Sequence, residues 1–99
     1  GPVADVRKSA VFPTRFEKPP YPSTSERLGE EGFSTVEACV TAKGAVTSTR
    51  LVATSGYARL DEAAVKWMKQ LRGFKPATLN GKPIDGCITT DVEWKIEKR

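Results

Sequence analysis

SGYARLDEAAVKWMKQLRGFKPATLNGKPI, residues 55–84, is the stretch whose reading decides the fold. Leu60, Ala64, Trp67, Met68 and Leu71 recur at helical spacing and form one apolar stripe. Asp61 stands where an N-cap is expected, with Leu60 and Val65 at the two positions of a hydrophobic staple. Lys66, Lys69 and Arg72 fall outside the stripe, toward the end where the helix dipole favours cations. Gly73 is expected to end this helix and Pro76 to prevent its resumption; Asn80-Gly81 then turns the chain into a final strand. Trp67 and Met68 lie on the apolar stripe and read as core. The stretch is a connector between strands and carries no catalytic constellation.

Working outward, the chain before it alternates with period two. Ser34, Val36, Ala38 and Val40 share one face, while Thr35, Glu37, Cys39 and Thr41 share the other. Ala42-Lys43-Gly44 is a tight turn with glycine free to take positive φ, and Val46 to Thr54 is a second strand. After the connector, Ile88, Thr90, Val92, Trp94 and Ile96 point one way, and Thr89, Asp91, Glu93 and Lys95 the other. Ser23-Thr24-Ser25-Glu26 fits a capping box, which predicts a short helix from about Ser23 to Glu31. Residues 1–20 lack periodicity. Pro13, Pro19 and Pro20 favour extended backbone there, and Gly1-Pro2 reads as a protease scar ahead of the end of a Pro-rich linker. The folded domain is expected over 21–99. Its class is α+β in two layers: a short helix, then β-β-α-β, with the main helix on one face of a three-stranded sheet.

The third strand can sit beside the second or skip across to the first. Cys39 lies near the end of strand one and Cys87 at the start of strand three. Antiparallel neighbours bring those ends within the separation a disulfide requires. The expected strand order is therefore two-one-three, with a Cys39–Cys87 bridge and an oxidising compartment. Residues 88–96 then form an edge. The bland reading of Asp91, Glu93 and Lys95 is charge that blunts it; the functional one is that a partner's extended segment adds to it.

Composition excludes more than it assigns. The 16 Lys and Arg outnumber the 12 Asp and Glu, but the excess is spread along the chain rather than gathered into a nucleic-acid-binding block. No apolar run approaches the roughly 18 residues of a membrane span. There is no His, which removes the usual general base and the Ser-His and Cys-His pairs. Two Cys make a poor metal site. No catalytic residue, metal site or cofactor is expected.

Several short pieces, in this order and spacing, resemble the C-terminal domain of TonB, a periplasmic energy transducer of Gram-negative bacteria. They are Pro20-Tyr21-Pro22, Glu31-Gly32, Lys43-Gly44-Ala45-Val46, Thr54-Ser55-Gly56-Tyr57, Leu60-Asp61-Glu62-Ala63-Ala64, Phe74-Lys75-Pro76-Ala77, Asn80-Gly81-Lys82-Pro83-Ile84 and Val92-Glu93-Trp94. The resemblance covers Pro20 to Ile96, although Ser34 and Ala38 are smaller than the residues the family more often carries there. It implies a protein anchored in the inner membrane that works with ExbB and ExbD on the proton-motive force. Its C-terminal domain would grip the TonB box of an outer-membrane receptor and pull, admitting siderophores or similar nutrients. By that resemblance the receptor segment adds to Ile88, Thr89, Thr90, Asp91, Val92, Glu93, Trp94, Lys95 and Ile96, with Tyr21 and Pro22 near the same groove. Short fragments of the family can swap strands, so a homodimer is a further expectation. A TolA-like connector, or a periplasmic scaffold or sensor domain, is the alternative.

Overall fold

β1 (Arg7–Lys8), α1 (Ser23–Leu28), β2 (Gly32–Val40), β3 (Val46–Ala53), α2 (Ala58–Gln70), β4 (Ala77–Leu79), β5 (Lys82–Ile84) and β6 (Gly86–Trp94) follow one another along the chain. The computed structural model describes residues 5–97; the protease scar expected at Gly1-Pro2 lies outside them.

The alternating segments make the main sheet. β2 is its central strand, antiparallel to β3 on one side and to β6 on the other. This is the expected order, with the chain carried across the sheet between β3 and β6. The even-numbered residues of β2 face α2, because period two puts Val36, Ala38 and Val40 on one side, while Phe33 stands exposed on the other. Val36, Ala38 and Val40 pack there with Leu60, Ala64, Met68, Phe74, Val92 and Trp94 into one buried cluster. Each large apolar side chain fully buried in this way stabilises by about 1.5–3 kcal/mol. Ser34 is also buried on this face, and it is polar for a reason. Its hydroxyl accepts from Trp94 Nε1–H at 3.1 Å and donates to Asp61 Oδ1 at 2.8 Å. A larger apolar residue there would leave the Trp94 N–H without its acceptor and take one donor from Asp61.

That contact corrects the reading of Asp61. The helix is entered at Tyr57, whose backbone is extended, and Asp61 lies inside the first turn rather than at the N-cap. Its side chain turns inward, only 7% exposed, and accepts from Ser34, from Thr54 Oγ1 and from the Ser55 N–H at 2.9 Å. It ties the end of β3 and the buried face of β2 to the start of α2. The other helix boundaries move as well. α2 ends at Gln70, three residues before Gly73, because Leu71 has already turned extended. α1 has Pro22 at its N-cap with no side-chain cap, so Ser23 does not close the expected capping box. It stops at Leu28, where Gly29 takes φ 73° and returns its N–H to Glu26 O.

A second, smaller sheet was not legible beforehand. The Asn80-Gly81 turn closes its own hairpin, joining β4 to β5, rather than feeding the last strand directly. Asn80 and Gly81 have φ 52° and 82°, the pair of positive values that a tight two-residue hairpin turn requires. β1 pairs on the outer side of β4, Arg7 opposite Leu79 and Lys8 opposite Thr78. Val11 and Lys75 exchange a further pair of main-chain hydrogen bonds of 2.9 and 3.0 Å. Residues 5–19 are therefore extended but attached. Strands two or three residues long carry too few alternations to show a period, which is why the pattern of residues did not reveal them.

Candidate functional site

The site is built on the free edge of β6. This strand pairs with β2 along nine residues, Gly86 opposite Val40 through Trp94 opposite Gly32. Among the described residues its other side has no strand beside it. It begins two residues earlier and ends two earlier than expected: Ile88–Trp94 lie in the strand, whereas Lys95 and Ile96 follow it. Ile96 leaves the ladder because its N–H bonds the Glu31 carboxylate at 2.8 Å.

The cysteines set the phase of the edge. Cys39 and Cys87 are directly opposite in the register and joined by a disulfide, with Cα atoms 3.9 Å apart. So close an approach belongs to the kind of antiparallel pair whose members exchange no main-chain hydrogen bonds. Cys87 therefore aims its N–H and C=O away from β2, and by alternation so do Thr89, Asp91 and Glu93. Four residues thus present main-chain donors and acceptors outward, the ready template of an edge strand. Glu37, Cys39 and Cys87 also form a cluster of potential metal ligands within 4.8 Å. With both sulfurs in the disulfide there is no thiolate to bind an ion.

Beside the edge runs a groove of about 500 Å³. β6 lines it from Thr90 to Trp94, with Lys95 just beyond the strand, and its far wall comes from the segment before α1 together with α2. Phe12 and Phe16 meet edge-to-face at 5.0 Å, and both pack on Trp67, at 6.1 and 5.9 Å between ring centroids. Trp67 Nε1–H donates to Glu17 O at 2.8 Å, which pins the segment to the helix. Trp67 is therefore only half core: it holds the wall.

Tyr21 closes one end of the groove. Its ring stands edge-on to Trp94 at 5.2 Å and its hydroxyl donates to Glu30 O. Burial, reinforced by the carboxylates of Glu31, Glu26 and Glu30, pushes the phenol above its usual pKa, so it stays a donor. Pro22, the other residue of the entry, serves as N-cap of α1. Tyr21 is thus brought to the last residues of β6. Phe12, Phe16 and Trp67 were missed as site residues. The available signal was two phenylalanines in a stretch with no periodicity, where apolar rings have no helix or strand of their own to pack for.

The electrostatics of the edge are local. Glu37 is paired with Arg50 at 3.3 Å and Glu30 with Arg59 at 3.6 Å. Asp91 accepts from Thr35 Oγ1 at 2.7 Å. Asp91 and Glu93 have no ion-pair partner among the described residues. What the arrangement can do is receive an extended chain: main-chain bonds on one side, an aromatic groove beneath.

The comparisons with known proteins agree with this architecture. The family model of the Gram-negative bacterial TonB protein C-terminal region matches residues 17–96. Protein tonB2 of Pseudomonas aeruginosa is 33% identical over 78 residues, which cover 79% of this chain and 28% of that protein. Protein TonB of Vibrio cholerae is 31% identical over 92 residues, covering 93% of this chain and 37% of that protein. The chain thus spans about a third of the length of these relatives. At the stringency that admitted them, no solved structure matches. With its matched region running from the groove wall to just past β6, the chain belongs to the family of Gram-negative bacterial TonB C-terminal domains.

Proposed function

We propose that this domain is the periplasmic end of an energy transducer, and that it grips outer-membrane receptors by taking their N-terminal TonB box onto β6 as an added strand. The observation that carries the reading is the free edge of β6, with alternate N–H and C=O groups directed outward beside an aromatic groove. Strand addition draws its affinity from main-chain hydrogen bonds, so one edge accepts boxes of differing sequence. The rest of the protein would carry an inner-membrane anchor coupled to ExbB and ExbD, which supply pull from the proton-motive force. Among the described residues no helix is long and apolar enough to cross a membrane. The domain itself does no chemistry in this reading; it transmits load.

Pull along the added strand loads its hydrogen bonds in shear, several at once. β6 must then stay on β2, and two ties hold it: the Cys39–Cys87 disulfide near its start and the Trp94–Ser34–Asp61 chain at its end.

The test is titration of the 15N-labelled oxidised domain with a synthetic receptor N-terminal segment. The amides of Cys87, Thr89, Asp91 and Glu93 are expected to shift and become protected from exchange. Binding that leaves these amides unmoved while perturbing β3 would overturn the assignment of the edge.

A further inference from the structure

Strand addition accounts for one side of the groove; the other side belongs to the chain's own upstream segment. Residues 5–19 flank β6 from end to end. Lys8 and Ala10 line a hollow with Gly86 and Cys87 at the start of the strand. The segment then leads into Tyr21, whose ring meets Trp94 at the strand's finish. The slot between them is the groove of about 500 Å³, so a strand added to β6 would lie beside this segment. Phe16 keeps 49% of its surface exposed there, although it packs on Phe12 and Trp67. An apolar side chain on the helix side of the added strand would cover it.

The attachments of this segment are few and stand in series. Val6 N–H donates to Asn80 Oδ1 at 2.8 Å, and Asn80 N–H returns a bond to Val6 O at 2.8 Å. The short β1 pairing follows, then the Val11–Lys75 exchange, and last the bond from the Trp67 indole to Glu17 O. Only Ala10 and Pro13 of the segment are buried, and none of it belongs to the buried cluster that joins the main sheet to α2. β6, by contrast, is held by a ladder along its whole length and by a disulfide. Stretches with little buried apolar surface and exposed backbone bonds are the first to open. Pull arriving from upstream meets these attachments one after another, whereas the bonds of an added strand share their load.

Resting on the reading of the domain as a transducer that holds an added strand, we propose that residues 5–19 are a load-sensitive strap. Docked, the strap covers the helix side of the strand held on β6. Peeled by pull from the upstream chain, it takes the Phe12–Phe16 wall away and speeds release of that strand. The coupling is reciprocal: a bound strand steadies the strap as much as the strap steadies the strand. A strap docked only about one-tenth of the time would weaken apparent affinity by up to about tenfold.

The experiment compares the oxidised wild-type domain with a loosened and a locked form. Val11→Pro with Asn80→Gly loosens the strap by removing one N–H and one side-chain acceptor; glycine keeps the positive-φ turn, and neither residue lines the groove. Val11→Cys with Lys75→Cys locks it, since these bridge partners exchange both main-chain bonds and so lie at a separation a disulfide can span. Amide exchange and the dissociation constant for a synthetic receptor N-terminal segment are measured for each form. The lifetime of each complex is then measured under constant pull between an N-terminal handle and the peptide. In the wild type, the amides of Val6, Val11, Lys75 and Asn80 should exchange together, faster than those of β2, and slow when the peptide binds. The loosened form should bind up to about tenfold more weakly with its β6 shifts intact, and the locked form should outlive the wild type under pull. Equal affinities in the loosened and wild-type forms, or equal lifetimes in the locked and wild-type forms, overturn the strap while β6 shifts leave strand addition standing. If the added disulfide does not form, the loosened variant alone decides. No shift along β6 in any form overturns both.

Discussion

Replacing Asp61 tests whether the domain is held together where its elements meet. In the native state this carboxylate is nearly buried and accepts from the Ser34 and Thr54 hydroxyls and the Ser55 N–H. Hydrogen bonds to a charged group contribute about 1.5–3 kcal/mol each, and a buried donor left without a partner costs a similar amount. The terms are not additive, because the two hydroxyls can rotate toward other acceptors. Asp61→Ala should therefore destabilise by about 3–5 kcal/mol, and Asp61→Asn, which keeps one carbonyl acceptor, by about 1–2 kcal/mol. Burial alone would raise the pKa of Asp61, but the bonds from Thr54, Ser55 and Ser34 outweigh it and leave the group below its usual value. A depressed native pKa contributes stability that is complete above the unfolded value, near 3.9, and is lost as pH falls through the native value. The stability difference between wild type and Asp61→Asn should be constant from neutral pH to about pH 5 and shrink below about pH 4. Urea unfolding at a series of pH values measures it, with an unchanged m-value as the check on two-state behaviour. An Asp61→Ala variant within about 1 kcal/mol of wild type at pH 7 would refute the reasoning, as would a difference that grows in acid.

Other perturbations address the remaining ties. Cys39 and Cys87 close a loop with a sequence separation of 48, so replacing both with Ser should remove roughly 4 kcal/mol in the chain-entropy model; a urea midpoint unchanged from that of the oxidised protein would count against it. The phase of the edge predicts opposite results for neighbouring prolines. Thr89→Pro removes an outward N–H, leaving stability nearly unchanged but weakening peptide binding. Thr90→Pro breaks a ladder bond to β2 and should cost roughly 1–3 kcal/mol. Equal stability losses at the two positions would mean the phase is wrong. Gly44 has φ 82°, and a Cβ there would lie 2.6 Å from Phe74 O. Gly44→Ala should cost more than the roughly 1 kcal/mol of left-handed strain alone, read as a fall in thermal midpoint with the same calorimetric enthalpy per degree.

The parts of the fold that could be read in advance are those with a period. β2, β3, β6 and α2 each run for eight residues or more, long enough for alternation or a helical stripe to stand clear of chance. Gly44 announced its hairpin because a positive φ is cheap only for glycine. The cysteines placed β6 beside β2 because a disulfide is a distance constraint that survives without coordinates. Asp61 shows the opposite case. An aspartate at the start of a helix has the same signature whether it caps the helix or reaches into the core. What distinguishes them is Ser34, which lies 27 residues away in sequence and has no reason to be polar until Trp94 and Asp61 are both beside it. The groove wall was hidden for a related reason. Phe12, Phe16 and Trp67 become a surface only when the early segment is docked on α2, and its attachments are two-residue pairings and single hydrogen bonds.

The free edge and its stability follow from the same connectivity. Carrying the chain from β3 across the helix face delivers β6 to the far side of β2, where among the described residues β2 is its one strand neighbour. A strand so placed is the easiest to peel, because it owes its position to a single ladder. It is held at its two ends by different chemistry, a covalent bridge at Cys87 and a buried hydrogen-bond chain from Trp94 through Ser34 to Asp61. Between them, Thr89, Asp91 and Glu93 direct main-chain groups outward that no other strand of the described residues takes up. An edge that is pinned at both ends and open in the middle can accept a strand without giving up its own place in the sheet. That combination is what a gripping surface under load requires, and it explains why Ser34, a polar side chain on the buried face of β2, sits where packing alone would call for a larger apolar one.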